Sequence, residues 1–133
     1  MAPAYEAERS MTQHLAILPE VIDRLVAEYP VIGVAYHGSA LLGSARPDSD
    51  LDLIILVDRP GEYSNDHNET HKGIVLCRSF FPEDWLRRVL SESPYILHPF
   101  SQARIAYDPD GTMARYQAAA AAYFERRPEV AAA

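Results

Sequence analysis

The sequence predicts one α/β domain in which helices flank and separate a small number of strands. Its 133 residues, 48% of them hydrophobic and 23% charged, suffice for one core and are too few for two ordinary domains. Short β-branched runs bounded by glycine and proline indicate strands, and apolar residues at helical spacing indicate helices between them. We expect the order helix, strand, strand, strand, helix, strand, helix in one domain over residues 1–133.

The first half of the chain supplies helical segments and two strands. A capping-box pattern over residues 10–13 starts a first helical stretch, and Pro19 suits the first turn of a helix over Glu20–Tyr29. Residues Val31–Gly38 are β-branched and end at a glycine, which predicts a strand. The run DLDLIILVD, residues 50–58, predicts a second strand that is buried on both faces and therefore central.

The second half begins with a polar stretch and ends in a helix. Residues Arg59–Lys72 predict the longest loop, and the β-branched run Gly73–Phe81 predicts the third strand. A proline and two acids open a helix over residues 82–91, where negative charge favours a helix start. Residues 103–111 predict a short fourth strand with a turn, and Thr112–Glu125 the last helix.

Composition and charge exclude several classes of protein. The formal charge of −7 argues against general nucleic-acid binding, and the single cysteine, Cys77, excludes an internal disulfide. The sequence contains neither a signal peptide nor a long apolar span, so we expect a cytoplasmic protein without a membrane partner. The segment RRPEVAAA is expected to be a frayed tail or a cloning scar, and an alternative is that the chain is the N-terminal part of a longer protein.

Two aspartates stand at the start of the central strand. Asp50 and Asp52 project to the same side, about 6.7 Å apart along the chain. At an effective dielectric near 20 their ionised carboxylates repel by roughly 2.5 kcal/mol, and the next residues on that face, Ile54 and Leu56, are apolar. A basic side chain, a raised pKa or a bound cation must therefore compensate them, unless both are simply solvated at the strand edge.

A glycine-serine pair follows the first strand. A glycine at position 38 lets backbone N–H groups approach a ligand closely, and the Ser39 hydroxyl adds a donor. Two carboxylates suit Mg²⁺, which takes its other ligands from water and phosphates. Gly33 and Gly38 have the outer spacing of a P-loop, but the required lysine is missing, which argues against a P-loop.

The spacing of these two features resembles a known family. Gly38-Ser39, ten residues, and then Asp50-Leu51-Asp52 before an apolar strand is similar to the signature of polymerase β-like nucleotidyltransferases, especially the minimal and aminoglycoside-type members. The resemblance implies a palm-like mixed sheet of about four strands with helices mainly on one face. It also implies two Mg²⁺ ions bound by Asp50 and Asp52 as catalytic residues, and a nucleoside triphosphate, ATP, whose terminal phosphates Gly38 and Ser39 hold.

Three positions depart from that pattern. Cys77 stands where the family presents a third carboxylate, and Ala40 and Leu42 stand where two arginines are common. A thiol is a poor ligand for Mg²⁺, which prefers oxygen. The candidate substitutes are Glu69 and His71, in a stretch otherwise predicted to be a solvated loop. Arg78 is a third candidate, although strand alternation directs it away from Cys77.

The sequence supports two functions. The first is a Mg²⁺-dependent nucleotidyltransferase that moves a nucleoside monophosphate, AMP from ATP, onto a hydroxyl of a small molecule or a partner protein. The alternative is a catalytically weakened binding module, such as an antitoxin that pairs with a helical toxin. Residues Pro94–Glu125 remain for binding an acceptor or for forming a homodimer, and the aromatic residues around Trp85 are expected to pack in the core.

Overall fold

Five strands form one open mixed sheet in the computed structural model, which describes residues 13–43, 46 and 48–132. Its order is β3-β4-β2-β1-β5; β2 and β4 run parallel, and every other neighbouring pair is antiparallel. The α/β fold class is therefore confirmed. The strands are β1 (Val31–His37), β2 (Leu51–Val57), β3 (Ser64–His71), β4 (Ile74–Pro82) and β5 (Arg104–Tyr107).

Helical segments cover both faces of this sheet, with the larger number on one face. Residues 13–16 are also helical, and the start of that stretch, including the capping-box pattern, lies outside the described residues. A 3₁₀ turn over Pro94–Leu97 leads into α4. The helices are α1 (Leu18–Glu28), α2 (Ser39–Leu42), α3 (Glu83–Glu92), α4 (His98–Gln102), α5 (Thr112–Glu125) and α6 (Pro128–Ala132).

The central strand β2 divides the core into two layers. Its odd-numbered residues pack with α1 on one face, and Ile54 and Leu56 pack with α3, α4 and α5 on the other. Residues 51 and 53–57 are all at most 2% exposed, as the unbroken apolar run predicts. Because the sheet is covered on both sides, Asp52 is the only polar side chain in this strand.

The prediction of a loop over Arg59–Lys72 is wrong, since β3 lies within it. The sequence of β3, SNDHNETH, contains no apolar residue because β3 is an edge strand whose side chains are mostly exposed or half-buried. A turn joins it to β4, with φ of 49° at Lys72 and 82° at Gly73. Two successive positive φ angles are typical of the tightest hairpin turn, for which Lys-Gly is a weaker signal than Asn-Gly. The sheet thus gains a fifth strand.

The C-terminal third contains more helix than the sequence predicts. Helix α5 has the predicted bounds, whereas the 3₁₀ turn and α4 occupy a stretch for which no element was predicted. The tail expected to fray forms α6 instead, which packs on α5. No helix within the described residues combines the length and apolarity that a membrane crossing requires.

Candidate active site

Strand register places the second aspartate between two polar neighbours. Asp52 in β2 is opposite His37 of β1 and opposite Cys77 of β4. Residues paired across neighbouring strands project to the same face of a sheet. The three side chains therefore share the face that carries Ile54 and Leu56, at the end of the sheet where β1 finishes and β2 begins.

The glycine-serine turn lies directly against this carboxylate. Gly38 has φ of 75° and ψ of −145°, and a Cβ built on it would overlap Oδ2 of Asp52. Only a residue without a side chain allows the backbone to come this close. Ser39 is half-buried and begins the single turn of α2 immediately after the glycine. The predicted phosphate-binding pair and the predicted carboxylate thus lie side by side.

The first aspartate precedes β2 and is partly open to solvent. The side chain of Asp50 is 40% exposed, and its Oδ2 lies 3.6 Å from Nδ1 of His67. Among the described residues, no lysine or arginine forms an ion pair with Asp50 or Asp52. Apart from the His67 imidazole, no basic side chain therefore offsets the repulsion between the two carboxylates among the described residues.

A buried histidine fixes the chain that leads to Asp50. His14 is fully buried, and its Nε2 donates a hydrogen bond of 2.7 Å to the carbonyl of Ser49. Ser49 in turn accepts a hydrogen bond from the backbone N–H of Arg46 through its hydroxyl and donates its own N–H to the Arg46 carbonyl. These contacts hold the backbone immediately before the site, so Asp50 does not sit on a free loop.

Cys77 occupies the remaining position on this face. Asn65 Nδ2 lies 3.6 Å from its Sγ, and His67 Nε2 lies 3.8 Å away. Burial raises the pKa of the Cys77 thiol; the Asn65 hydrogen bond acts in the opposite direction, and the carboxylates of Asp52 and Asp50 raise it further. The thiol is therefore neutral at pH 7 and lies among the two aspartates without adding a third negative charge.

The residues suggested as substitutes for a third carboxylate do not reach this face. Glu69 lies on the opposite side of the sheet, where it pairs with Arg24 at 3.3 Å, and His71 contacts Glu20 there. Arg78 also points to that side, as strand alternation predicts, and forms an ion pair with Asp66.

The two positions that are commonly arginine give no charge either. Ala40 is 3% exposed within the core, so it contributes packing and no contact to a phosphate. The side chain of Leu42 lies outside the described residues.

Comparison with known proteins now identifies the family. The family model for the nucleotidyltransferase domain matches residues 18–104, from the start of α1 to the start of β5. The chain belongs to this nucleotidyltransferase family. The matched segment contains Gly38, Ser39, Asp50 and Asp52, and it agrees with the resemblance inferred from their spacing. Membership indicates nucleotidyl transfer as the general function of the domain.

A solved structure shares the fold. A nucleotidyltransferase-like protein from Exiguobacterium sibiricum 255-15 aligns over 82% of this chain with a TM-score of 0.58 and 14% sequence identity. The alignment covers 38% of that protein, so this chain spans less than half of its length. At this identity the similarity concerns the fold alone. A comparison with curated proteins finds no match.

Two side chains of this candidate site fit the metal that the family implies. Among the described residues, no three His, Cys, Asp or Glu side chains are arranged to hold a metal ion by themselves. Two carboxylates on one face still suit Mg²⁺, which keeps several waters and accepts phosphate oxygens as further ligands. Asp50 and Asp52 therefore fit a magnesium ion that arrives with a nucleotide, whereas the Cys77 thiol does not fit as a ligand.

Sequence reasoning did not find two features of this candidate site. His37, Asn65 and His67 surround the aspartates and the cysteine only because of strand register, and Asn65 and His67 belong to the strand taken for a loop. A cavity of about 250 Å³ lies beside them on the same face. Trp85 packs against the core, as predicted, and also lines this cavity.

Proposed function

We propose that the protein is a Mg²⁺-dependent nucleotidyltransferase that moves AMP from ATP onto a hydroxyl group of an acceptor. One observation carries the proposal: Asp50 and Asp52 share one face, Asp52 lies against the Gly38 turn, and no lysine or arginine pairs with either carboxylate among the described residues. A divalent cation with its triphosphate supplies the missing positive charge, since burying or crowding two carboxylates is costly without it.

Each residue of the site has a distinct role in this proposal. Asp50 and Asp52 bind the metal, which neutralises charge on the reacting phosphates when it is bound. The backbone N–H groups of the turn at Gly38 and the hydroxyl of Ser39 donate hydrogen bonds to the terminal phosphates. The missing Cβ at Gly38 brings this turn against Asp52. His14 acts at a distance by holding the Ser49 carbonyl and with it the position of Asp50.

The reaction is an in-line displacement at the α-phosphorus. The acceptor oxygen forms a bond to phosphorus, the bond to pyrophosphate breaks, and the hydroxyl proton leaves to solvent or a nearby base. Cys77 carries a thiol in place of a third carboxylate. Because the pKa of this thiol is raised, it stays neutral and adds no negative charge for this step. The proposal therefore expects slower turnover than a site with three carboxylates supports.

The position of the label in ATP tests this reaction directly. We expect label from the α-phosphate of ATP to appear on a hydroxyl acceptor, with release of pyrophosphate, when Mg²⁺ is present. Label from the γ-phosphate of ATP should appear in the released pyrophosphate and not on the acceptor. A panel of acceptors should include p-cresol, glycerol and kanamycin A. Transfer of γ-label would contradict the proposal by showing phosphoryl transfer, and so would α-label transfer that persists in EDTA.

A second candidate function is a nucleotide-binding module without turnover. The observation that favours it is the thiol at Cys77, together with Ala40 in place of an arginine. Such a module would pair with another protein, as an antitoxin does with a helical toxin, or with a second copy of the chain. Binding of ATP and Mg²⁺ without any pyrophosphate release would favour this candidate over the enzyme.

A further inference from the structure

We propose that the cavity beside the aspartates binds the acceptor, and that the acceptor is a small hydroxylated aromatic compound. This inference rests on the proposed function, because it names the substrate class of that reaction. The cavity measures about 250 Å³ and opens on the same face of the sheet as Asp52. Small-molecule pockets usually span about 300–1,000 Å³, so this one suits one ring or two fused rings.

The cavity adjoins Asp52 on the same face of the sheet. His37 is opposite Asp52 across β1 and β2, and it also lines the cavity. Ile54 follows Asp52 by two residues on the same face, which places the cavity floor about 6.7 Å from the carboxylate position along the strand. Ser79 has the same relation to Cys77 in β4. A compound in the cavity therefore lies about two residues along the strands from Asp52 and Cys77.

The order of these groups along the sheet fits an in-line reaction. The Gly38 turn lies at the end of β1, Asp52 lies next to it, and the cavity lies farther along β2. An in-line displacement places the attacking oxygen opposite the leaving group. If the terminal phosphates occupy the turn, the acceptor approaches from the opposite side of Asp52, which is the side of the cavity.

Aromatic rings form one wall. Tyr63, Phe81 and Trp85 contact one another with ring centroids 4.9 to 5.9 Å apart. Tyr63 lines the cavity and is 45% exposed, and Ile96, which also lines it, is 48% exposed. An apolar ring in the cavity would remove this exposed apolar surface from water, and ring contacts with the aromatic side chains would stabilise it further.

The cavity offers hydroxyl recognition without charge. Ser79 Oγ accepts a hydrogen bond of 2.8 Å from Asn65 Nδ2 and lies 3.5 Å from the hydroxyl of Tyr63. None of the described residues that line the cavity is Asp, Glu, Lys or Arg. A polycationic acceptor such as an aminoglycoside would find no carboxylate there, whereas a phenol or an aromatic alcohol finds apolar walls and hydroxyl partners.

The only tryptophan of the chain reports occupancy. Trp85 lines the cavity, so its fluorescence should shift when p-cresol, the probe, fills the space. We expect p-cresol to bind the full chain without nucleotide, and kanamycin A to leave the emission unchanged.

Two variants and one control locate the binding. Ser79→Phe fills the cavity, and Ile96→Arg places a charge at its exposed wall; each should weaken p-cresol binding at least about tenfold. Val26→Arg is the matched control, since Val26 is 43% exposed on α1, on the opposite face of the sheet. It should leave binding unchanged. Far-ultraviolet circular dichroism and thermal melts check that all three variants fold.

The outcomes separate this inference from the proposed function. Absence of p-cresol binding, or equal binding in Ile96→Arg and Val26→Arg, overturns the inference even if ATP still binds with Mg²⁺. Competition between p-cresol and a non-hydrolysable ATP analogue also overturns it, because the nucleobase would then occupy the cavity. Binding of p-cresol by a wild-type protein that binds no nucleotide overturns the proposed function and the acceptor role, while the aromatic site remains.

Discussion

Gly38 and Asp52 are in such close contact that a single methyl group at position 38 would displace the carboxylate. The glycine has φ of 75°, and a Cβ atom there would overlap Oδ2 of Asp52. The turn after β1 can therefore contact the start of β2 only because position 38 has no side chain. This contact places the predicted phosphate donors and the predicted metal ligand at one point of the sheet.

The first prediction concerns this glycine. Gly38→Ala should destabilise the fold by about 1–3 kcal/mol, through its positive φ and the overlap, and should weaken binding of a Mg²⁺-ATP analogue. Gly73→Ala is the control, because Gly73 also has a positive φ, of 82°, but has nothing within 4 Å of its Cβ position. Urea unfolding and calorimetric titration measure the two effects. Equal losses of nucleotide affinity in both variants would contradict a specific role for the contact.

The second prediction concerns the aspartates. Asp50→Asn and Asp52→Asn should each lower transfer of α-label by about 100-fold or more, since each removes a carboxylate that would hold the metal at the reacting phosphates. Asp58→Asn, at the opposite end of β2 and exposed, should retain wild-type transfer. Initial rates at saturating Mg²⁺ and matched thermal melts provide the comparison. Wild-type rates in the double aspartate variant would refute the assignment.

The third prediction concerns the thiol. Cys77→Asp restores a carboxylate at the third position, so it should raise the affinity for Mg²⁺ in the presence of ATP and raise the transfer rate. Without metal the same variant should be less stable than the wild type, because three acids then share one face. Cys77→Asn has nearly the same shape without the charge and should give neither effect. An unchanged affinity for Mg²⁺ in Cys77→Asp would show that the position does not face the metal.

The fourth prediction concerns an ion pair on the other face. Arg78 donates two hydrogen bonds to Asp66, of 3.0 and 2.9 Å, and its side chain is 9% exposed. These hydrogen bonds lower the pKa of Asp66, although burial acts against them. Asp66→Asn should therefore cost about 2 kcal/mol of unfolding free energy at neutral pH. Asp23→Asn, an exposed position on α1, should change stability by less than about 0.5 kcal/mol.

The pH dependence of this pair has a definite sign. Because the folded state lowers the pKa of Asp66, the unfolded chain takes up the proton first as the pH falls. The stabilisation is complete above about pH 4 and is lost as the pH drops through the folded pKa. The difference in unfolding free energy between wild type and Asp66→Asn should thus shrink below pH 4. A difference that stays constant to the lowest pH at which the protein folds would contradict the role of the ion pair.

The sequence was sufficient for the parts of the fold that depend on apolar pattern. The run over residues 51–57 is apolar on both faces, so the central strand and its paired aspartates were predicted together. Residues Ser64–His71 carry no such pattern, because an edge strand is held by its backbone bonds to β4 and by polar contacts. That strand was therefore missed, and with it the place of His67 beside Asp50.

The rest of the site depends on register, which a single sequence does not determine. His37 and Cys77 are forty residues apart in the chain and meet around Asp52 only through the pairing of β1 and β4 with β2. The cavity depends in addition on the 3₁₀ turn and α4, where prolines start two short helical segments close together. The sequence predicted Trp85 as a core residue and not as a cavity residue, because the cavity beside it is formed by these later segments.

The central claim is that Asp50 and Asp52 hold a divalent cation together with a nucleotide. Calorimetric titration of the wild type with a non-hydrolysable ATP analogue, with Mg²⁺ and again with EDTA, tests it most directly. We expect binding with Mg²⁺ that is lost in EDTA and lost in Asp52→Asn, while Asp58→Asn binds as the wild type does. Equal binding of the analogue by wild type and Asp52→Asn, or binding that is unaffected by EDTA, would contradict the claim.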